Sequence, residues 1–186
     1  MTILLSGLIG ALIATILSVI YHYISEQSRL RSEAALEAIG YFDDIYKSLQ
    51  MLNVDKEAAY KGKKRGLTDE EYRITSRTLK DLLNTSRVGA KIAIVYGEGN
   101  ITGAFNFLQA SCLCASELLW GAKEQDWEEK HNQITILFHE KIDPVRKIFE
   151  RHLIEQTRSH QIIKGLIYRC TGRVFKKQKQ IEPTSR

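Results

Sequence analysis

The opening stretch constrains this chain more than any other. From Thr2 to Ser25 there is no Lys, Arg, Asp or Glu, and Ile3, Leu4, Leu5, Leu8, Ile9, Leu12, Ile13, Ile16, Leu17, Val19 and Ile20 fill most of it. Wound as a helix, an uncharged apolar run of about 20 residues matches the roughly 30 Å hydrocarbon core of a bilayer. The expectation is a single transmembrane helix over residues 1–25. A secretory signal peptide needs a basic start and a small-residue cleavage site. Met1-Thr2 offers no basic side chain, and Tyr21-His22-Tyr23-Ile24 makes a poor cleavage site. Tyr21 and Tyr23 instead stand where interfacial aromatics belong, at the end of a span.

Orientation follows from the basic residues flanking the run. The N-terminal side carries only the α-amino group, whereas Arg29 and Arg31 follow the span. Positive charge stays inside, so the N-terminus is expected outside and the body in the cytoplasm, as a single-pass protein of the cell membrane. Cys112, Cys114 and Cys170 form an odd set without disulfide-framework spacing, as suits a reducing compartment.

The span has a second pattern. Ser6, Gly10, Ala14 and Ser18 recur every four residues, with Gly7 and Ala11 beside them. On a helix these make a face of small residues, which lets two spans approach closely in lipid. Homo-oligomer formation through this packing face is therefore expected.

The 186-residue chain keeps enough length beyond the span for one domain with a real core. Its two prolines and scarcity of alternating β-branched runs point to helices. The expected fold is all-α: the transmembrane helix, then a cytoplasmic antiparallel four-helix bundle with long, coiled-coil-like helices over 26–170, then a basic tail at 171–186.

The first body helix is read from Leu30, Ala34, Ala38, Phe42, Ile45, Leu49 and Leu52, spaced three and four apart. Lys61-Gly62-Lys63-Lys64-Arg65-Gly66 then breaks it as a solvated basic loop. Thr68-Asp69-Glu70-Glu71 reads as a capping box. It opens a second helix with Tyr72, Leu79, Leu82, Leu83, Ser86, Ala90, Ala93 and Ile94 inward. Gly97–Asn100 is a turn with Asn100 as N-cap. Ile101–Trp120 is a central core helix; its Asn106, Gln109, Ser111 and Ser116 disfavour a second span. The fourth helix starts near Asp126 or Trp127. Its apolar phase runs through Asp143-Pro144, which predicts a proline kink instead of a reversal.

Residues 158–186 hold eight Lys or Arg against one Glu, so the overall charge of +5 leaves the body acidic at −2. An antiparallel bundle returns this end to the membrane. Lys164, Arg169, Arg173, Lys176, Lys177 and Lys179, interleaved with apolar residues, then suit anionic lipids at the cytoplasmic face. The basic loop of Lys61, Lys63, Lys64 and Arg65 lies at the far end.

Catalytic patterns are thin. Glu128-x-x-His131 has the spacing of di-iron carboxylate helices, which need it twice. His139-Glu140 lacks a second His at position 143. His152 reads as a hydrogen-bonded core residue. Cys112 and Cys114, two apart on a helix, point apart and make no metal pair. No cofactor is implied. The favoured reading is a non-enzymatic, membrane-anchored helical protein. It would act by tethering, by recruiting an unidentified protein partner, or by self-assembly through its span, including as a membrane-perturbing effector. The alternatives are a membrane-anchored metal-dependent enzyme and a nucleic-acid-binding module using the basic clusters.

Overall fold

The computed structural model describes residues 2–97 and 99–157, with side chains from Ile9 onward apart from Glu124. Every regular element described is helical. These are α1 (Thr2–Tyr60), α2 (Asp69–Leu83), α3 (Arg87–Tyr96), α4 (Asn100–Gly121), α5 (Trp127–Ile136) and α6 (Asp143–Thr157). A short 3-10 turn precedes α5, and a π turn at Leu137–Ile142 joins α5 to α6. Two compact units result. One is residues 33–153; the other, as far as described, is residues 2–32 with 154–157.

In the 33–153 unit, the expected row on α1 is the core. Ala34, Ala38, Phe42, Ile45, Leu49 and Leu52 are all buried. The helix stops where the sequence breaks it. Gly62 takes a left-handed φ of 63°, a conformation that costs a side-chain-bearing residue energy, and Lys63 N–H folds back onto Ala58 O. The capping box forms as read: Glu71 N–H donates to Thr68 Oγ1, and Thr68 N–H donates to Glu71 Oε2.

The second helix is not one piece. α2 ends at Leu83 and α3 begins at Arg87. Asn84-Thr85-Ser86 interrupts them, because short polar side chains bond to nearby backbone and compete with the helix. Thr85 Oγ1 does so, donating to Asp81 O. The break resets the helical phase. Val88 and Ile92 are buried, while Ser86, Ala90 and Ile94, expected inward, are exposed. Asn100 is likewise the first residue of α4 and not its N-cap; Gly99 holds that position, and Thr102 Oγ1 donates to Gly97 O.

α4 is a core helix, burying Phe105, Leu108, Cys112, Ala115 and Leu119. Phe105 is the hub of an aromatic cluster, with ring centroids 5.8 Å from Tyr41, 5.1 Å from Phe42 and 6.2 Å from Phe149. Gln109 caps the end of α2 from the side: its Nε2 donates to Leu83 O and Tyr41 Oη, while Tyr41 itself donates to Leu82 O. At the other end of α4, Lys56 Nζ donates to Leu119 O and Ala122 O, and Lys130 Nζ to Gly121 O. Cations on terminal carbonyls satisfy orphan acceptors and suit the helix dipole.

At Asp143-Pro144 the chain runs on without reversing. Pro144 lacks an N–H and crowds the carbonyl four residues earlier. The turn before it widens, and Asp143 N–H donates to Phe138 O, five residues back. Ile134, Phe138 and Ile142 stand four apart twice, a spacing that drifts off one face of an α-helix. The wider turn keeps all three buried.

Pairings along α1 fix directions within this unit. Asp55 meets Leu67 and Tyr41 meets Leu82, so α2 runs antiparallel to α1. Tyr41 stacks on Phe105 and Lys56 reaches Leu119, so α4 runs parallel to it. Tyr60 faces Trp127, Tyr46 faces Phe138 and Phe42 faces Phe149, so α5 and α6 run antiparallel. This is the up-down-up-down order of a four-helix bundle.

In the other unit, Ser28 Oγ donates to Thr157 O and Arg31 Nη1 to Gln156 O. The described end of α6 is therefore fastened beside residues 28–31.

Candidate functional site

Three regions carry surface or chemistry. The first is the apolar part of α1. Among described residues, α1 is the one helix long and apolar enough to cross a membrane. Ile9, Leu12, Ile13, Ile16, Leu17, Val19 and Ile20 are 45–64% exposed. A Cβ added at Gly10 would meet nothing within 4 Å, and Ala11, Ala14 and Ser18 are exposed beside it. Thr15 Oγ1 donates to Ala11 O, so its hydroxyl is satisfied inside the helix, as lipid would require. The side chains of Ser6 and Gly7 lie outside the described residues.

The second region is the basic loop, and its four cations separate into two kinds. Arg65 is structural. Its Nε donates to Asp55 Oδ2 at 2.8 Å, and its Nη1 to Asp69 Oδ1 at 2.8 Å. Its guanidinium also lies 5.1 Å from the Tyr72 ring centre. The Asp55 side chain is 1% exposed, and its other oxygen accepts Leu67 N–H. One buried carboxylate thus clasps the exit of the loop, Arg65 and Leu67, to α1. Lys61 pairs with Glu57, whose carboxyl is held below its ordinary value chiefly by that hydrogen bond. Lys63 and Lys64 face solvent. The adjacent N-terminus of α2 is no anion site, since Glu71 caps it and Asp69 and Glu70 surround it.

The third region was not legible in the sequence. A groove of about 550 Å³ opens between α1, the 66–67 loop and the π turn. Met51, Val54, Leu67 and Phe138 give it apolar walls, and Gln50, Asn53, Thr135 and His139 supply polar groups. At its edge the His139 Nδ1 lies 3.8 Å from Asp143 Oδ2. Burial and a hydrogen bond to Asp143 raise the Tyr46 hydroxyl above its ordinary value. Such a mixed lining suits a neutral ligand that is part apolar and part hydrogen-bonding. The prior signals were Pro144, which widens the turn before it, and the doubled four-residue spacing of Ile134, Phe138 and Ile142.

The remaining sequence candidates fall as follows. His131 faces α1: its Nδ1 is 3.3 Å from Asn53 Oδ1, its Nε2 is 4.0 Å from Glu57, and its ring lies against Trp127. Glu128 is exposed. No group of three or more His, Cys, Asp or Glu among the described residues is arranged to hold a metal. His152 is exposed and not a core residue; it sits one position round the helix from the buried Leu153. Cys112 is buried and its thiol is pushed up to about 12 by that burial, whereas Cys114 is exposed. Cys170 and the basic residues Lys164, Arg169, Arg173, Lys176, Lys177 and Lys179 lie outside the described residues. Compared with protein-family models, with curated proteins and with solved structures, the chain finds no match.

Proposed function

We propose that this is a single-pass membrane protein whose apolar N-terminal helix is its working element. The helix anchors a cytoplasmic bundle and assembles copies through its small-residue face. The observation that carries this reading is the exposed apolar surface of residues 9–20. Seven large aliphatic side chains there stand about half exposed. Taking them out of water is worth roughly 5–10 kcal/mol at 1.5–3 kcal/mol for a fully buried side chain. No other stretch of the described chain offers a continuous surface of that kind.

The role is non-enzymatic: tethering, recruitment of a protein partner to the cytoplasmic face, or perturbation of the bilayer by assembled spans. The N-terminus lies outside, with Arg29 and Arg31 holding the cytoplasmic flank. The basic tail works beside the same flank, on anionic lipids. What supports that part is the bonding of Thr157 and Gln156 to Ser28 and Arg31, next to the end of the apolar run.

Assembly is tested by Gly10→Ile and Ala14→Ile in native membranes. Both variants are expected to stay in the membrane fraction under alkaline extraction while cross-linked oligomers disappear. Wild-type protein released by alkaline extraction overturns the anchor. Unchanged oligomer size in both variants overturns the packing face.

A further inference from the structure

We propose that the groove between α1, the 66–67 loop and the π turn binds a small uncharged molecule. That molecule joins an aromatic ring to an amide-like edge, one that carries both a C=O and an N–H. Every residue lining the groove belongs to the 33–153 unit, so this inference stands apart from the membrane reading.

Charge decides that the ligand is neutral. Among the described residues no Lys or Arg lines the groove, and the one carboxylate that does is Asp55. That carboxylate is already engaged. Its side chain is 1% exposed, Oδ1 accepts Leu67 N–H and Oδ2 accepts Arg65 Nε. His139 stands at the rim with its ring beside Asp143 Oδ2, so any positive charge on it is matched from within the chain. An ion entering the groove would give up its water without gaining a counter-ion, a cost that a neutral molecule avoids.

The lining decides the rest. Met51 and Val54 are 44% and 62% exposed, and they line the groove with Leu67 and the buried Phe138. A thioether and a phenyl ring on one wall favour an aromatic ligand, because sulfur–aromatic and ring–ring contacts both add to burial. Gln50 and Asn53 stand three apart on α1, so their Cβ atoms are neighbours about 5–6 Å apart. Asn53 commits Oδ1 to His131 Nδ1 at 3.3 Å and keeps its NH2 group. Gln50 is exposed and offers both a donor and an acceptor. Side by side, the two carboxamides match an edge with the reverse pattern, that of an amide, a lactam or a urea. The volume of about 550 Å³ falls in the range of small-molecule sites.

Two walls of the groove are set before any ligand arrives. Asp55 fixes Leu67, and the π turn fixes Phe138; single π turns within helices are frequent at functional sites.

The test uses the full chain in a mild detergent, labelled with carbon-13 at the methionine methyls. Met1 and Met51 are its two methionines, so one signal reports the groove and the other is the control. Three probes share an indole ring and differ in charge: N-acetyltryptophanamide is neutral, N-acetyltryptophan is an anion and tryptamine is a cation. The neutral probe is expected to shift the Met51 signal saturably, with a Kd of about 1 mM or tighter, and to leave Met1 in place. Both charged probes are expected to bind at least about fivefold more weakly. Val54→Asp, at an exposed position, is expected to abolish the shift, and Gln50→Ala to weaken the neutral probe by about fivefold. No saturable Met51 shift with the neutral probe up to about 10 mM overturns the site, as does a shift that persists in Val54→Asp. Equal binding of all three probes overturns the assignment of a neutral ligand. Unchanged affinity in Gln50→Ala overturns the amide-like edge.

Discussion

Gly89 is the sharpest place to test the packing. It lies on α3 facing α4, and a Cβ built there would come 2.9 Å from Phe105 Cε1, 3.5 Å from Cδ1 and 3.6 Å from Cζ. Carbon atoms rest at about 3.5–4.0 Å, so the ring would have to retreat by more than half an ångström. Phe105 cannot retreat cheaply: it is fully buried, with Tyr41, Phe42 and Phe149 around it. Overpacking of this kind costs about 1–3 kcal/mol. Against it stands the helix preference for Ala over Gly, about 1 kcal/mol. Gly89→Ala is therefore expected to lower stability by up to about 2 kcal/mol, whereas Gly40→Ala, in the interior of α1 with nothing within 4 Å, raises it by about 0.5–1 kcal/mol. Urea unfolding followed by circular dichroism measures both. In a Phe105→Leu background the clash is gone, and Gly89→Ala turns neutral or stabilising. Equal stabilisation by Gly89→Ala and Gly40→Ala in the wild-type background would refute the close approach of α3 to α4.

Other outcomes follow from single contacts. Asp55→Ala frees Leu67 N–H and one side of Arg65; with Arg65 about a third exposed, the loss is about 2–3 kcal/mol, read by urea unfolding and by faster proteolysis between Lys61 and Gly66. Thr68 N–H and Oγ–H hold the Glu71 carboxyl below its ordinary value of 4.5. Its folded pKa is thus below its unfolded one, so its contribution is full above 4.5 and is lost as pH falls below that. Glu71→Gln is expected to flatten this part of an acid titration of stability, and an unchanged slope would contradict the capping role. In a Cys170→Ser chain, maleimide followed by peptide mass mapping is expected to label Cys114 and spare Cys112 until the protein is denatured.

What could be read from the sequence was what local periodicity records. The rows on α1 and α4 were visible because burial in one face imposes a repeat of three and four, and the Thr68–Glu71 box because capping is confined to four residues. The break at Asn84–Ser86 escaped because apolar residues continue at helical spacing on either side, which hid the reset of phase. In the sequence Arg65 looks like one of four solvated cations because its partner, Asp55, lies ten residues back on another element. Three separated segments build the groove, and no linear pattern spans them. Pro144 and the spacing of Ile134, Phe138 and Ile142 mark the place of the π turn, but a helix can meet a proline by a kink or by a wider turn, and the sequence does not choose between them.

That turn also changes how the chain tolerates lost residues. A π turn holds one residue more than the α turn it replaces. Removing one residue between Leu137 and Ile142 narrows that turn and keeps the outer parts of α5 and α6 near their present phase, with Pro144 then kinking the join. A deletion elsewhere in either helix swings everything beyond it by about 100°. The surplus residue lets Ile134, Phe138 and Ile142 all stay buried. It also sets Phe138 and His139 in the wall of the groove, so a chain trimmed there would lose that wall.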